Sequence, residues 1–278
     1  MSLDQQRASD ILSQIDELAR YGKLYEAVSS AKNHTTTFEY LRSHNNTLSF
    51  RIPNLLIIGP ARTGTTWIKS TLSRHPDIIM FPGEPNILWG ISAGNLANSL
   101  QLYAQQRTSK NSRHKRITAE KSPGYIALPD SDICMLSAIN PKIKIIAGNR
   151  DPIHRIWSFI KHSMNKSNFP GAWQQFITTN YEEIKKEIKS GNISTHINRW
   201  EKCLRSESMY IVNFPDIQNK PEKLLDDLLR FIDVRALREL SKKEQELLKT
   251  RLYVNPNPTK ITTIPDDFRD LIDKFFTD

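Results

Sequence analysis

Residues Pro53–Pro76 read PNLLIIGPARTGTTWIKSTLSRHP, and this stretch decides the fold. Leu55-Leu56-Ile57-Ile58 is an apolar run without alternation, which fits a strand buried on both faces. A Gly-bounded loop follows, Gly59-Pro60-Ala61-Arg62-Thr63-Gly64. Thr65, Thr66, Trp67, Ile68 and Leu72 then recur at helical spacing until Pro76 stops the helix. Strand, glycine loop and helix N-terminus together bind anions. The glycines let the backbone come close, and free N–H groups with the helix dipole attract a phosphate. The loop departs from the NTPase pattern GxxxxGK[ST] at one place: Thr65 stands where the phosphate lysine would, and Arg62 is the only basic residue inside the loop. That counts against a kinase or ATPase. Taken alone, the loop also reads as a plain strand-to-helix turn rich in small residues.

Outward from this stretch, short apolar runs at Ile78–Met80, Ile117–Ala119, Ile143–Ala147 and Met209–Val212 predict further strands. Helical periodicity covers 4–30 with a break at Gly22, then Ile87–Tyr103, Pro129–Ile139, the segment after Pro152, 172–189, 194–205, 221–232, 236–250 and 266–276. Strands alternating with helices predict an α/β fold, a mainly parallel central sheet flanked by helices in a P-loop-NTPase-like arrangement. Residues 1–50 read as a helical N-terminal extension and 51–278 as the main domain.

Ligands of such sheets sit at the carboxyl ends of the strands. There the first strand delivers Arg62, Thr63, Gly64, Thr65 and Thr66, the third Glu120, Lys121 and Ser122, and the fourth Arg150. On the next helix Arg155, Ser158 and His162 share a polar stripe, opposite Ile153, Trp157, Ile160 and Met164. Arg150 and Ser158 can therefore clamp a second phosphate, away from the first loop.

Composition bounds the partners. The chain has 278 residues, 38% hydrophobic and 25% charged, as in soluble globular proteins. Its net charge of +9 suits nucleic acid or an anionic small ligand. The basic residues are scattered apart from Arg107, Lys110, Arg113, Lys115 and Arg116, and no nucleic-acid-binding signature accompanies that cluster. No apolar run approaches the ~20 residues of a membrane span. The N-terminus MSLDQQRASD reads as neither signal peptide nor anchor. Cys134 and Cys203, far apart in sequence, read as two buried free thiols, which places the chain in a reducing cytoplasm.

Several motifs in order carry a family resemblance. GPARTGTTWIKSTLSRHP, EKSPGY at 120–125 and RDPIHRIWS at 150–158 resemble three segments of PAPS-dependent sulfotransferases, closest to the heparan-type carbohydrate branch and its bacterial relatives. HINRWEKC at 196–203, followed by MYIVNFPDI and KPEKLLDDLLRFIDV, resembles the later helix, strand and helix of that fold. The resemblance spans roughly residues 52–235. It lacks the family's paired-cysteine loop and its basic, glycine-containing loop near the C-terminus; Asn255–Lys260 is the nearest stand-in for the latter.

The resemblance implies a donor, 3′-phosphoadenosine 5′-phosphosulfate (PAPS), with PAP as product and no metal. It implies that Arg62 and Lys121 stabilise charge on the departing nucleotide. Thr63, Gly64, Thr65 and Thr66 hold the 5′-phosphate, Arg150 and Ser158 the 3′-phosphate, and Lys260 adds a donor contact. Glu84, shortly after the HP of the loop helix, takes the place of the catalytic base. Cytosolic aryl and alcohol sulfotransferases use a histidine there; His75, His154 and His162 are the alternatives, each read as structural or solvated. The expected reaction is sulfuryl transfer to a hydroxyl, in preference to an amine, of a small molecule or glycan. No nucleic-acid or membrane partner is expected, and a homo-oligomer is compatible with the sequence. Two other readings stay open, a P-loop nucleotide kinase and a basic polyanion- or nucleic-acid-binding protein.

Overall fold

The computed structural model describes residues 3–21, 23–34, 53–105, 117–252 and 263–277. Five strands, β1 (Leu55–Ile58), β2 (Ile78–Met80), β3 (Ile117–Lys121), β4 (Lys144–Asn149) and β5 (Met209–Asn213), form one all-parallel sheet in the order β2-β3-β1-β4-β5. Leu55 sits in register with Ala119 on one side and Lys144 on the other. All five carboxyl ends therefore meet at one edge, with β1 at the centre of the sheet.

Thirteen α-helices flank it among the described residues. α1 (Leu3–Arg20) and α2 (Leu24–Asn33) precede β1, and α3 (Thr65–Leu72) follows it. α4 (Leu96–Gln105) lies between β2 and β3, and α5 (Asp130–Ile139) between β3 and β4. α6 (Pro152–Lys166), α7 (Trp173–Thr179), α8 (Tyr181–Ser190) and α9 (Ile193–Cys203) separate β4 from β5. α10 (Phe214–Asn219), α11 (Pro221–Phe231), α12 (Lys242–Leu252) and α13 (Asp266–Thr277) come last.

Alternation along the strands divides the core. Leu56, Ile58, Ile145 and Ala147 pack with α1, α2, α4 and α5, whereas Leu55, Ile57 and Ile146 pack with α3, α10, α11 and α12. A third cluster is wholly helical, with Ile156, Trp157 and Ile160 of α6 against side chains of α7, α8 and α13. The N-terminal hairpin belongs to the first cluster through Ile11, Leu12 and Ile15. Its Asp16 carboxylate accepts the N–H groups of Leu96 (2.8 Å) and Ala97 (3.0 Å) at the start of α4, and Arg20 donates to the Gly94 carbonyl at 3.0 Å.

Several elements depart from the periodicity. Ile87–Tyr103 is not one helix, because Asn86 (φ 54°), Gly90 (φ 78°) and Gly94 (φ 88°) adopt left-handed backbone that interrupts it before α4. The 172–189 helix is divided at Asn180, which ends α7 and begins α8. Residues 236–250 start as a 3₁₀ turn at Leu237–Glu239 before α12, and the short α10 was not expected at all.

Cys134 and Cys203 are not free thiols. α5 and α9 pack together and bring the two into a disulfide, Cα–Cα 4.9 Å, with both residues only half buried. Paired in this way, the cysteines no longer place the chain in a reducing cytoplasm. Among the described residues no helix is long and apolar enough to cross a membrane.

Candidate active site

The loop after β1 is built by turning its carbonyls away from the open side. Gly59 (φ 145°), Arg62 (φ 70°) and Gly64 (φ 93°) supply the unusual backbone. A Cβ on Gly59 would lie 2.9 Å from the Gly148 carbonyl, and one on Gly148 would lie 2.6 Å from Thr63 Oγ1. Glycines at the ends of β1 and β4 thus make room for Thr63, which is buried. Thr63 Oγ1 donates to the Pro60 carbonyl (2.8 Å), Arg155 to that of Ala61 (3.4 Å) and Arg150 to that of Arg62 (3.2 Å). Three consecutive carbonyls are therefore occupied by the protein's own donors. Arg62 holds a conformation that costs a non-glycine residue roughly 1–2 kcal/mol. The Arg150 bond to its carbonyl and its own Nε–Ser158 Oγ bond (3.1 Å) offset that strain.

Two clefts open around this loop. The smaller, about 60 Å³, is lined by Arg62, Gly64, Thr65, Thr66, Trp67, Arg150 and Phe214. The larger, about 420 Å³, shares Arg62, Thr65 and Thr66 and adds Glu84, Lys121, Phe159, His162 and Glu187, among others. Arg150 stacks on the Phe214 ring at 4.0 Å. Burial, and then the neighbouring Arg62, push the Arg150 guanidinium down to about 10. Burial followed by Arg150 and Arg62 also lowers Lys161. The region is one of concentrated positive potential, where an anion is stabilised.

Glu84 follows β2 and forms an ion pair with Lys121 at the end of β3; the Lys121 side chain is 9% exposed and that of Glu84 48%. Lys69 of α3 donates to the Gly83 carbonyl at 2.5 Å and anchors the turn that carries Glu84. Glu120, delivered to the same edge, is fully buried: it accepts from Ser122 Oγ (2.5 Å) and from the Tyr103 hydroxyl, and burial pushes its carboxyl up. It scaffolds the core beneath residues 86–90 and does not line either cleft.

The three histidines separate by place. His75 is fully buried; its Nδ1 accepts the Asp77 N–H (3.1 Å), so Nε2 carries the proton donated to the Arg235 carbonyl (3.0 Å). His154 pairs with Asp151 at the start of α6, 2.6 Å. Of the three, His162 lines a cleft. Lys260, Asn255–Lys260 and the basic 107–116 segment lie outside the described residues. Arg155 and Glu187, by contrast, meet the loop and cleft although sequence reasoning gave neither a role. The stripe shared with Ser158 was a signal for Arg155, but nothing in YEEIKKEIKS singles out Glu187.

A glycine-bounded loop between a central parallel strand and a helix, with cations from the neighbouring strand ends, makes a P-loop-like α/β fold without the NTPase lysine. Residues 53–268 match the family described as sulfotransferase domain, and the chain belongs to the sulfotransferase family. It is 25% identical over 194 residues to the bifunctional heparan sulfate N-deacetylase/N-sulfotransferase 1 of Caenorhabditis elegans, covering 66% of this chain and 22% of that protein. The human N-deacetylase/N-sulfotransferase 2 is 25% identical over 203 residues, with the same coverage. The chain thus spans under a quarter of the length of these curated relatives. Its fold is that of a sulfotransferase from Alicyclobacillus acidocaldarius (TM-score 0.58, 18% identity, 81% of this chain and 91% of that one). It is also that of mouse sulfotransferase SULT7A1 complexed with PAP (TM-score 0.52, 15% identity, 86% and 87%).

Proposed function

We propose that this enzyme transfers a sulfuryl group from PAPS to a hydroxyl of a small molecule or glycan, with Glu84 as general base and no metal. One observation carries the reading: Arg62 borders both clefts at once and is tied to Ser158, beside Arg150. The residues fit a nucleotide phosphorylated at both ends of its ribose. A Cβ at Gly59 would crowd Gly148 and Thr63 behind the loop, while burial and then Arg62 lower Arg150, and burial with Arg150 and Arg62 lowers Lys161, effects of neighbouring charge that a bound anion would oppose.

Bound PAPS supplies the activated sulfuryl group. The loop N–H groups and the Thr65 and Thr66 hydroxyls hold the 5′-phosphate at the N-terminus of α3. Thr63 contributes only its backbone, since its hydroxyl is turned inward. Arg150, next to the aromatic surface of Trp67 and Phe214, holds the 3′-phosphate; Ser158 is buried and lines neither cleft, so it serves this site through its bond to Arg62. Arg62 and Lys121 stabilise the negative charge left on the nucleotide as it departs. Glu84, in the larger cleft, accepts the proton of the acceptor, and its pairing with Lys121 fixes where that carboxylate stands.

Thermal shift with adenosine 3′,5′-bisphosphate against ADP, with and without Mg²⁺, tests this. Stabilisation by the bisphosphate, little by ADP and no metal requirement are expected. Preference for Mg–ADP would restore the kinase reading, and tight DNA binding without nucleotide preference the polyanion one. An amine acceptor is the second reading, favoured by the similarity to heparan sulfate N-sulfotransferases by name. Turnover of an amine-bearing sugar but not its N-acetylated form would establish it.

A further inference from the structure

We propose that Arg155 and Glu187 form a positioning pair that sets the phosphate loop from the acceptor side of the cleft. The inference rests on the sulfotransferase reading for its consequence, though not for its geometry.

Arg155 is among the largest fully buried side chains, at 2% exposure, and among the described residues the other arginines are more open. Its guanidinium spans two elements. Nη1 donates to the Ala61 carbonyl (3.4 Å) and to the Glu187 carboxylate, and Nη2 donates to the Glu187 carbonyl at 2.8 Å. Gly191, just past the end of α8, makes room for it, because any Cβ there would overlap the guanidinium. Nothing else demands glycine at this position, whose φ of −88° suits any residue. Burying an arginine is costly unless it is paired, and this one is paired to the carboxylate that lines the larger cleft.

The Ala61 carbonyl is the middle one of the three withdrawn from the anion side. Its neighbours are held by Thr63 and by Arg150, a residue that also lines the donor cleft. Arg155 is the only one of the three donors linked to the opposite wall. The pair therefore transmits the position of α8, and of Glu187 in the acceptor cleft, to the backbone that precedes Arg62. Neither residue needs to touch the donor for this, and both act through the loop.

Two readouts on the full chain test the pair. Hydrogen–deuterium exchange of peptides spanning residues 59–66 reports loop order without any ligand, and calorimetry with adenosine 3′,5′-bisphosphate reports its effect on binding. Glu187→Gln and Gly191→Ala should each speed loop exchange and weaken binding by roughly tenfold, the scale of one charged hydrogen bond. Gly191→Ala displaces the guanidinium without deleting any charge. Arg155→Lys should recover part of what Arg155→Met loses. Unchanged loop exchange in Glu187→Gln and Gly191→Ala, in folded protein of wild-type melting temperature, would overturn the proposal. A general loss of stability with unaltered loop exchange relative to the rest of the chain would mark a merely structural pair and overturn it too. Failure of the wild type to bind the bisphosphate would remove the donor reading alone, since loop exchange would still decide the pair.

Discussion

Arg62 Nε donates to Ser158 Oγ at 3.1 Å, across 96 residues of sequence. The bond joins the loop after the central strand to the helix after its neighbour, and both residues belong to the positively charged edge of the sheet. Ser158→Ala should leave the fold intact, since the serine is replaced by a smaller side chain on a helix. It should weaken adenosine 3′,5′-bisphosphate binding several-fold, consistent with losing about 1 kcal/mol of hydrogen bonding. Adenosine 5′-phosphosulfate, which lacks the 3′-phosphate, should lose less, only what the loosened Arg62 gives up at the loop. Calorimetric titration with both ligands measures it, and equal losses for both would remove Ser158 from the 3′-phosphate site.

Glu84→Gln should keep nucleotide binding and lose turnover by about 10²–10⁴-fold. The carboxylate is half exposed and glutamine still offers the Lys121 ammonium an acceptor oxygen, so the melting temperature should fall only modestly from the lost charge pairing. Near-normal turnover would transfer the base to another group, and His162 is the histidine placed to take the role.

Gly148→Ala should damage the donor site from behind. The new methyl would press on Thr63 Oγ1, inside the loop, and overpacking of this kind costs about 1–3 kcal/mol. Denaturant unfolding should show that loss together with weaker bisphosphate binding. Wild-type binding in this variant would mean that the loop yields without consequence.

Reduction of the Cys134–Cys203 bridge should lower unfolding free energy by about 2–4 kcal/mol, since it closes a long stretch of chain. Urea titrations with and without dithiothreitol measure this, and Cys203→Ser should reproduce the reduced value while losing any response to the reductant.

His75 predicts a pH dependence of stability. Burial lowers its affinity for a proton in the folded state, so it stays neutral there while the unfolded chain protonates it as pH falls below about 6.5. Its contribution is complete above the unfolded value and is lost as pH drops toward the folded one, with a slope of at most about 1.4 kcal/mol per pH unit. Unfolding free energies from pH 7.5 to about 5 should decline in the wild type and decline less in His75→Asn. Parallel curves would assign the slope to the other histidines whose proton affinity is lowered, half-buried His196 and exposed His162.

The sequence made the sheet legible because its strands are continuous apolar runs ending in polar turns. The loop was legible because its glycines bracket a single arginine. What escaped depended on contacts between distant segments. Asn86 and Gly90 break a segment whose apolar periodicity reads as helix, since handedness of the backbone leaves no trace in hydrophobic spacing. The cysteine pair depends on α5 and α9 lying side by side, which spacing alone does not reveal. Thr63 looked like a phosphate ligand by type, yet its hydroxyl serves the loop itself. Glu187 is one acid among several on α8, distinguished only by the arginine that reaches it.

Asp16 and Arg20 reach from α1 to residues 94–97, and Ile11, Leu12, Ile15, Ala19, Ala27 and Ala31 lie in the same apolar cluster as Leu96 and Leu100. Trimming the protein to residues 53–268, the stretch matched to the family, would thus strip a wall from the interior and leave bare hydrocarbon on α4 and α5. A minimal catalytic fragment cut at that boundary should aggregate, and a useful shortened version must keep its first two helices.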